Sequence, residues 1–349
     1  MIAISVIMPV YNTKTDFLRR AIQSVLKQSL RNIELLLVDD GSTNGAASVC
    51  DQYAKIDNRV KVIHQENQGI CVARNNGIKN ARGEYITFID HDDEYGINQL
   101  LDNYELGKKN QADVVKFGYE YICLDGAPTF PFSQYIGDKV EVFNKEALRQ
   151  KYADLKDSGI LTFVWDALFR KDFLLKYNFY FDLRFKIGQE DIAFCNLIYQ
   201  DIEIMVYNPR KYYCHYRYAK STSRGMQLDK VTRLLDDEQY VFRIEQDLYK
   251  HLYPETNLPI WNDILVRNML VFLASVMRQD ANISWHERYR LLSKTRKDFP
   301  IDEKIKMKYI DKLTNKVSMF LYKQKHIYLL MLGTKVYVAY LNLKNRCMR

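Results

Sequence analysis

Three carboxylates fall within four residues, at Asp90, Asp92 and Asp93, in the stretch G-E-Y-I-T-F-I-D-H-D-D-E from Gly83 to Glu94. Like charges this close repel one another unless a positive group sits among them. A divalent cation with oxygen ligands meets that need, and Mg²⁺ or Mn²⁺ would normally bring a diphosphate with it. The plainer alternative is that these acids open the next helix, whose dipole favours negative charge. Residues 85–89 just before them are apolar, aromatic and β-branched, the composition of a buried strand. Carboxylates at a strand's carboxyl end lie where open α/β sheets bind their ligands.

The first 120 residues supply the elements that must hold these acids. Strands are expected at 4–10, 33–38, 60–63, 85–89 and 113–117. Helices are expected at 15–30, from Thr43 or Asn44 to about 55, at 70–81 and at 99–109. Such alternation predicts an α/β fold with a mostly parallel central sheet and helices on both faces. Farther on, 125–138 reads as a loop, 145–154 and 163–177 as helices, and 179–186 as irregular. A helix is expected at 189–200 with its acids first, then two strand-like runs, 203–206 and 212–218. Residues 229–299 carry the apolar spacing of long amphipathic helices.

Composition narrows the function classes. The chain has 349 residues, 47% hydrophobic and 27% charged, an ordinary globular balance. Its six cysteines form no CxxC pair, so they are expected to be reduced thiols without a zinc site. No G-x-G-x-x-G and no G-x-x-x-x-G-K-[ST] occurs, which disfavours a dinucleotide Rossmann enzyme and a P-loop NTPase. The N-terminus has no basic n-region and reads as a first strand, and no run is long enough for a clear membrane span. Residues 301–349 hold 11 Lys+Arg against 3 Asp+Glu, so the whole net charge of +8 lies in this tail. A neutral body with a basic, tyrosine-rich tail points to an anionic membrane surface and away from nucleic acid.

Five words in order carry a family resemblance: I-S-V-I-M-P-V-Y-N at 4–12, S-V-L-K-Q at 24–28, L-V-D-D-G-S-T at 37–43, N-Q-G-I-C-V-A-R-N-N-G at 67–77 and A-R-G-E-Y-I-T-F-I-D-H-D-D at 81–93. Residues 3–123 resemble the nucleotide-sugar-binding half of the family 2 glycosyltransferases. Family-like words continue to about 223, including W-D-A-L-F-R-K-D-F-L at 165–174 and E-D-I-A-F at 190–194. The resemblance implies a GT-A fold over 1–225, with a nucleotide-sugar half at 1–118 and an acceptor half at 119–225. A helical extension at 226–300 and the basic tail at 301–349 would follow.

The resemblance also implies roles. Pro9 and Tyr11 would form the floor and wall of a uridine pocket, and an aromatic ring suits base stacking. Asp39 would accept from the uracil N3–H, while Asp40 would be structural. Arg74 would lie near the uracil and the diphosphate. Asp90 would meet the ribose or the metal's shell, Asp92 would ligate Mg²⁺ or Mn²⁺, and Asp93 would support it. His91 is expected to pack away from the cation. Asp191 would be the general base toward the acceptor hydroxyl, with Glu190 beside it. Trp165 would line the acceptor side, or stand as a core tryptophan. Asp166 stands where family members often carry Asn, and His215, Arg217 and Ser221 would return toward the diphosphate.

These roles describe an inverting transferase that moves a sugar from a UDP-sugar to a saccharide. Its acceptor would be lipid-linked, at the cytoplasmic face of a membrane, as in capsule, exopolysaccharide or O-antigen assembly. Two other readings compete. A metal-dependent nucleotidyltransferase would want a basic phosphate-gripping loop after the first strand, and P-V-Y-N-T is not one. A non-catalytic membrane scaffold would not need Asp39, Asp90, Asp92 and Asp191 intact.

Overall fold

The computed structural model describes residues 2–124, 137–186, 188–218, 227–254, 258–277, 281–298, 313–324 and 326–335. The chain divides into two compact units, Met1–Ser221 and Thr222–Arg349. In the first, strand and helix alternate as expected: β1 (Ile4–Val10), α1 (Thr15–Leu26), β2 (Ile33–Asp39), α2 (Ala46–Ile56), β3 (Val60–His64), α3 (Ile70–Asn80) and β4 (Tyr85–Phe88). There follow β5 (Glu94–Tyr95), α4 (Gln99–Asn110), β6 (Val114–Cys123), β7 (Glu141–Asn144), α5 (Lys145–Asp157), β8 (Ala167–Arg170), α6 (Lys171–Lys176), α7 (Glu190–Tyr199) and β9 (Ile204–Arg217).

The sheet order is β3-β2-β1-β4-β8-β6-β9-β5, with β7 on β9. The strands β3, β2, β1 and β4 run parallel, so their carboxyl ends open on one edge. Every residue of β1 and β2 is buried, as expected of strands covered on both faces. Ser5 and Glu34, neighbours in the β1–β2 register, are two polar exceptions with a purpose. Ser5 Oγ donates to Glu34 at 2.6 Å and accepts from Gly83 N at 2.8 Å, while Arg82 pairs with Glu34 at 2.7 Å. The turn into β4 is thereby fixed against β1. Gly83 fits there because a Cβ would come within 2.4 Å of the Ser5 nitrogen.

Two expectations for the acceptor half are corrected. Residues 163–177 are not one helix. Residues 167–170 form β8, inserted antiparallel between β4 and β6, and only 171–176 are helical. Pairing on both sides overrides the helical spacing of the apolar residues. The two runs at 203–206 and 212–218 are one strand, β9. It passes Pro209 by slipping register against β6 on either side of Gly118, as a β-bulge allows. Most of the expected loop at 125–138 lies outside the described residues.

The second unit contains α8 (Leu228–Leu252), α9 (Leu258–Val276), α10 (Trp285–Asp298) and α11 (Leu313–Lys323), with 327–335 also helical. Among the described residues, no helix is long and apolar enough to cross a membrane. Much of the tail, 299–312 and 336–349, lies outside the described residues. In the described part, Val317, Phe320, Tyr328, Leu329 and Leu332 are all more than half exposed.

Candidate active site

The turn after β4 presents the acids, and β9 holds the turn. Asp93 is fully buried. Its Oδ2 accepts from the Tyr213 hydroxyl at 2.7 Å and from His215 Nδ1 at 2.8 Å, and its Oδ1 accepts from Tyr216 N at 2.8 Å. Burial raises the Asp93 pKa and the His215 hydrogen bond opposes this. Burial alone would lower the His215 pKa, but Asp93 raises it overall. Arg20 ties the turn from the other side. Its Nη2 donates to the Asp92 carbonyl at 2.7 Å, and its guanidinium lies 3.9 Å over the Tyr216 ring.

Metal-capable atoms of Asp90, Asp93 and His215 converge within 4.8 Å of one another. Both Asp93 oxygens already accept hydrogen bonds, which leaves the Asp90 carboxylate, 3.5 Å from Arg74 Nη2, as the oxygen donor of the set. With Nδ1 donating to Asp93, the neutral imidazole carries its lone pair on Nε2, the carboxylate–histidine arrangement of many metal sites. This convergent set differs from the expected one, since Asp92 is not in it. The Asp92 side chain is about a third exposed and sits 3.8 Å from His91 Nδ1, which is also outside the set. Burial raises the Asp92 pKa. The carboxylate oxygens suit Mg²⁺ or Mn²⁺, while the imidazole is a donor more typical of Zn²⁺ or Fe²⁺.

Asp191 and Glu190 open α7, after Gly188 and Gln189, both in the left-handed region at φ 118° and 73°. They meet Arg74, which is 2% exposed on α3. Arg74 Nη1 donates to Asp191 at 2.5 Å and to Glu190 at 3.1 Å, and Nη2 lies 3.5 Å from Asp90. Burial works against the Arg74 charge, but Asp191, Glu190 and Asp90 together raise its pKa. Burial pushes Asp191 up to about 7, against the pull of Arg74. Arg74, expected near the uracil and diphosphate, is instead the link between the β4 turn and the acids of α7.

The nucleotide-side residues gather at the ends of β1 and β2. Tyr11 is 48% exposed, so its ring is free to stack on a base. Pro9 is buried within β1, beside Val38 of β2. Asp39 ends β2 and accepts from Ser42 N at 3.1 Å and from His64 Nδ1 at 2.8 Å. His64 reaches Asp51 with its other nitrogen at 3.1 Å, and these two carboxylates raise its pKa. Asp40 is structural, as expected: it accepts from Gln65, Gln68 and Gly69 and so fixes the loop into α3.

Trp165 is corrected from acceptor lining to core. It is 3% exposed, stacked parallel to the His215 ring at 5.1 Å and flanked by Phe163 and Tyr213. Several working residues were not singled out in the sequence. Arg20 and His64 look like ordinary surface residues there. Lys116 carried a signal, being a lysine inside the apolar strand V-V-K-F, and it pairs with buried Asp166.

The Glycosyl transferase family 2 profile matches residues 5–175. That match spans just under half of the chain. The chain is 34% identical to the uncharacterised glycosyltransferase EpsJ of Bacillus subtilis (strain 168) over 191 residues, 55% of this chain and 52% of EpsJ. It is 45% identical to glycosyltransferase GlyG of Streptococcus pneumoniae serotype 4 over 117 residues, 33% of this chain and 38% of GlyG. The chain therefore spans about half or less of the length of these curated relatives. The crystal structure of S. aureus TarS 1–349 in complex with UDP-GlcNAc superposes at TM-score 0.69 and 16% identity, covering 97% of this chain and 92% of that one. The fold is that of a GT-A glycosyltransferase.

Proposed function

We propose that this family 2 glycosyltransferase moves a sugar from a UDP-sugar to a saccharide hydroxyl with inversion. The single observation that carries the reading is the Arg74 cluster, which brings the buried Asp191 carboxylate to the β4 turn. Tyr11 and Asp39 take the uridine. Asp90 and His215, with Asp92 nearby, would hold Mg²⁺ or Mn²⁺, which neutralises a departing diphosphate when bound. Asp191 removes the acceptor proton, and the alkoxide attacks the anomeric carbon opposite the leaving UDP, so an α-linked donor gives a β linkage. One carboxylate suffices, because the leaving group needs no acid. The UDP-GlcNAc complex of TarS supports a UDP-sugar donor.

The test is UDP release from a panel of UDP-sugars, with saccharide acceptor, Mn²⁺ and EDTA varied in turn. Release that needs acceptor and stops with EDTA is expected. Pyrophosphate release from UTP and a sugar phosphate would favour a nucleotidyltransferase, and UDP binding without turnover would favour a scaffold.

For the partner surface, we propose that the second unit docks on anionic lipid, placing a lipid-linked acceptor within reach. The half-exposed Phe320, Tyr328, Leu329 and Leu332 share their helices with Lys316 and Lys335, in a stretch of net charge +8. Each lysine at such a surface contributes roughly 1 kcal/mol, screened by salt. Full-length protein should float with liposomes containing anionic lipid, and less so at high salt. Lys316→Glu/Lys335→Glu should cut flotation about 10-fold or more, since two charges reverse. Salt-independent flotation would sink the idea.

A further inference from the structure

Lys116 and Asp166 form an ion pair in the core, their side chains 3% and 1% exposed. Lys116 sits on β6, in register with Ala167 of β8. Its ammonium donates to Asp166 Oδ1 and, at 2.6 Å, to the Phe163 carbonyl. The Asp166 carbonyl accepts from Phe117 N at 3.0 Å. One buried cation therefore grips both ends of the turn 163–166 and fixes it to β6. A buried pair of this kind is a poor source of stability, because desolvation offsets most of the attraction. Asp166 shows the cost. Burial pushes its pKa up to about 6 despite Lys116, and Oδ2 is buried with no hydrogen-bond partner.

The turn touches both halves of the catalytic arrangement. The Phe163 carbonyl at the start of the turn accepts from Cys195 Sγ at 3.4 Å, and Cys195 stands one helical turn after Asp191 on α7. Trp165 lies flat against His215, only 4° from parallel. On the other face of the imidazole edge, Asp93 fixes Nδ1. The turn thus sets where the base carboxylate sits and how the histidine ring is tilted. We propose that Lys116 and Asp166 are positioning residues, whose ion pair holds the turn 163–166 so that Phe163 meets Cys195 of α7 and Trp165 backs His215. This rests on the glycosyltransferase reading of the site. Neither side chain touches substrate. Their effect runs through the turn, and a displacement of about 1 Å at a reacting group can lower turnover by roughly 10²-fold.

The experiment compares wild type, Asp166→Asn and Lys116→Met/Asp166→Val by melting temperature, UDP affinity, and kcat and KM for the donor. The double variant removes both charges and should melt near wild type, since an apolar pair of similar volume commonly replaces a buried ion pair without loss. Its kcat should nevertheless fall about 10²-fold, and metal-dependent UDP affinity should weaken as the His215 ring loses its backing. Asp166→Asn keeps an acceptor for Lys116 without the charge and should fall between the two. A purely structural pair would lower melting temperature and leave kcat of the folded fraction intact. Wild-type kcat in either folded variant overturns the inference while leaving the transferase reading standing. No turnover by the wild type with any donor overturns both.

Discussion

Asp191→Asn should lower kcat by about 10² to 10⁴-fold while leaving donor and metal affinity near wild type, the loss expected when a general base is removed. The substitution keeps the size of the side chain and an acceptor for Arg74 Nη1. Donor contacts through Tyr11 and Asp39 are on other elements and should not move. The pH profile supplies a second readout. Asp191 sits at about 7 because burial disfavours its charge. A base works only when deprotonated, so wild-type kcat should be low below pH 7, rise through it and level off above. The variant's residual rate should lose that rise. Calorimetry with UDP and stopped assays across pH 5 to 9 would measure both. A variant that loses donor affinity and kcat together would place Asp191 in the nucleotide pocket.

Arg74→Met should destabilise the first unit by about 3–5 kcal/mol, the range for breaking a buried ion pair on one side. The methionine fills much of the volume but leaves Asp90, Glu190 and Asp191 facing one another without a cation. Two of these are themselves nearly buried, at 10% and 15% side-chain exposure for Glu190 and Asp191. The variant should regain stability at low pH, where protonation removes the repulsion. Adding Glu190→Gln should recover part of the loss at neutral pH, because neighbours in one network do not act additively. Urea unfolding at pH 7.5 and pH 5 would measure this. A cost under about 1 kcal/mol at both pH values would mean that the cluster is held together by its surroundings and not by the arginine.

The parallel half of the sheet was legible because each of its elements is locally consistent. The runs I-S-V-I-M-P-V and I-E-L-L-L-V are apolar on both faces, and the helices between them keep helical spacing. The strand β8 was not legible. A-L-F-R continues the helical spacing of its neighbours, and only pairing with β4 and β6 decides its state. The strand β9 was read as two because Pro209 ordinarily ends a strand, and the bulge at Gly118 that rescues it is a property of two chains and not of one.

The site divides the same way. Asp39, Asp90 and Asp191 stand in words that can be read. The partnership of Asp93 with His215 joins residues 122 positions apart, and that of Arg74 with Asp191 joins residues 117 apart. Spacing along the chain carries no trace of either. Lys116 carried a signal that went unread, a charge inside an apolar run, and Trp165 could be read as a sugar platform as readily as a core residue.

That long reach has a consequence for the order in which the protein comes into being. Chains emerge from synthesis at about 5–20 residues per second, and their early domains fold as they appear. The parallel strands β1 to β4 and the acids of the β4 turn are complete by residue 93. Asp93 then stays without the hydroxyl, imidazole and backbone N–H that satisfy it until β9 has been made, more than 120 residues later. During that interval Arg20 and Arg74 are the cations at hand for the acidic turn, and Asp93 lacks its own partners. A pulse-labelled ribosome-bound chain halted near residue 175 should therefore show a protected β1–β2 core and an unprotected acidic turn, and become competent only once β9 has docked.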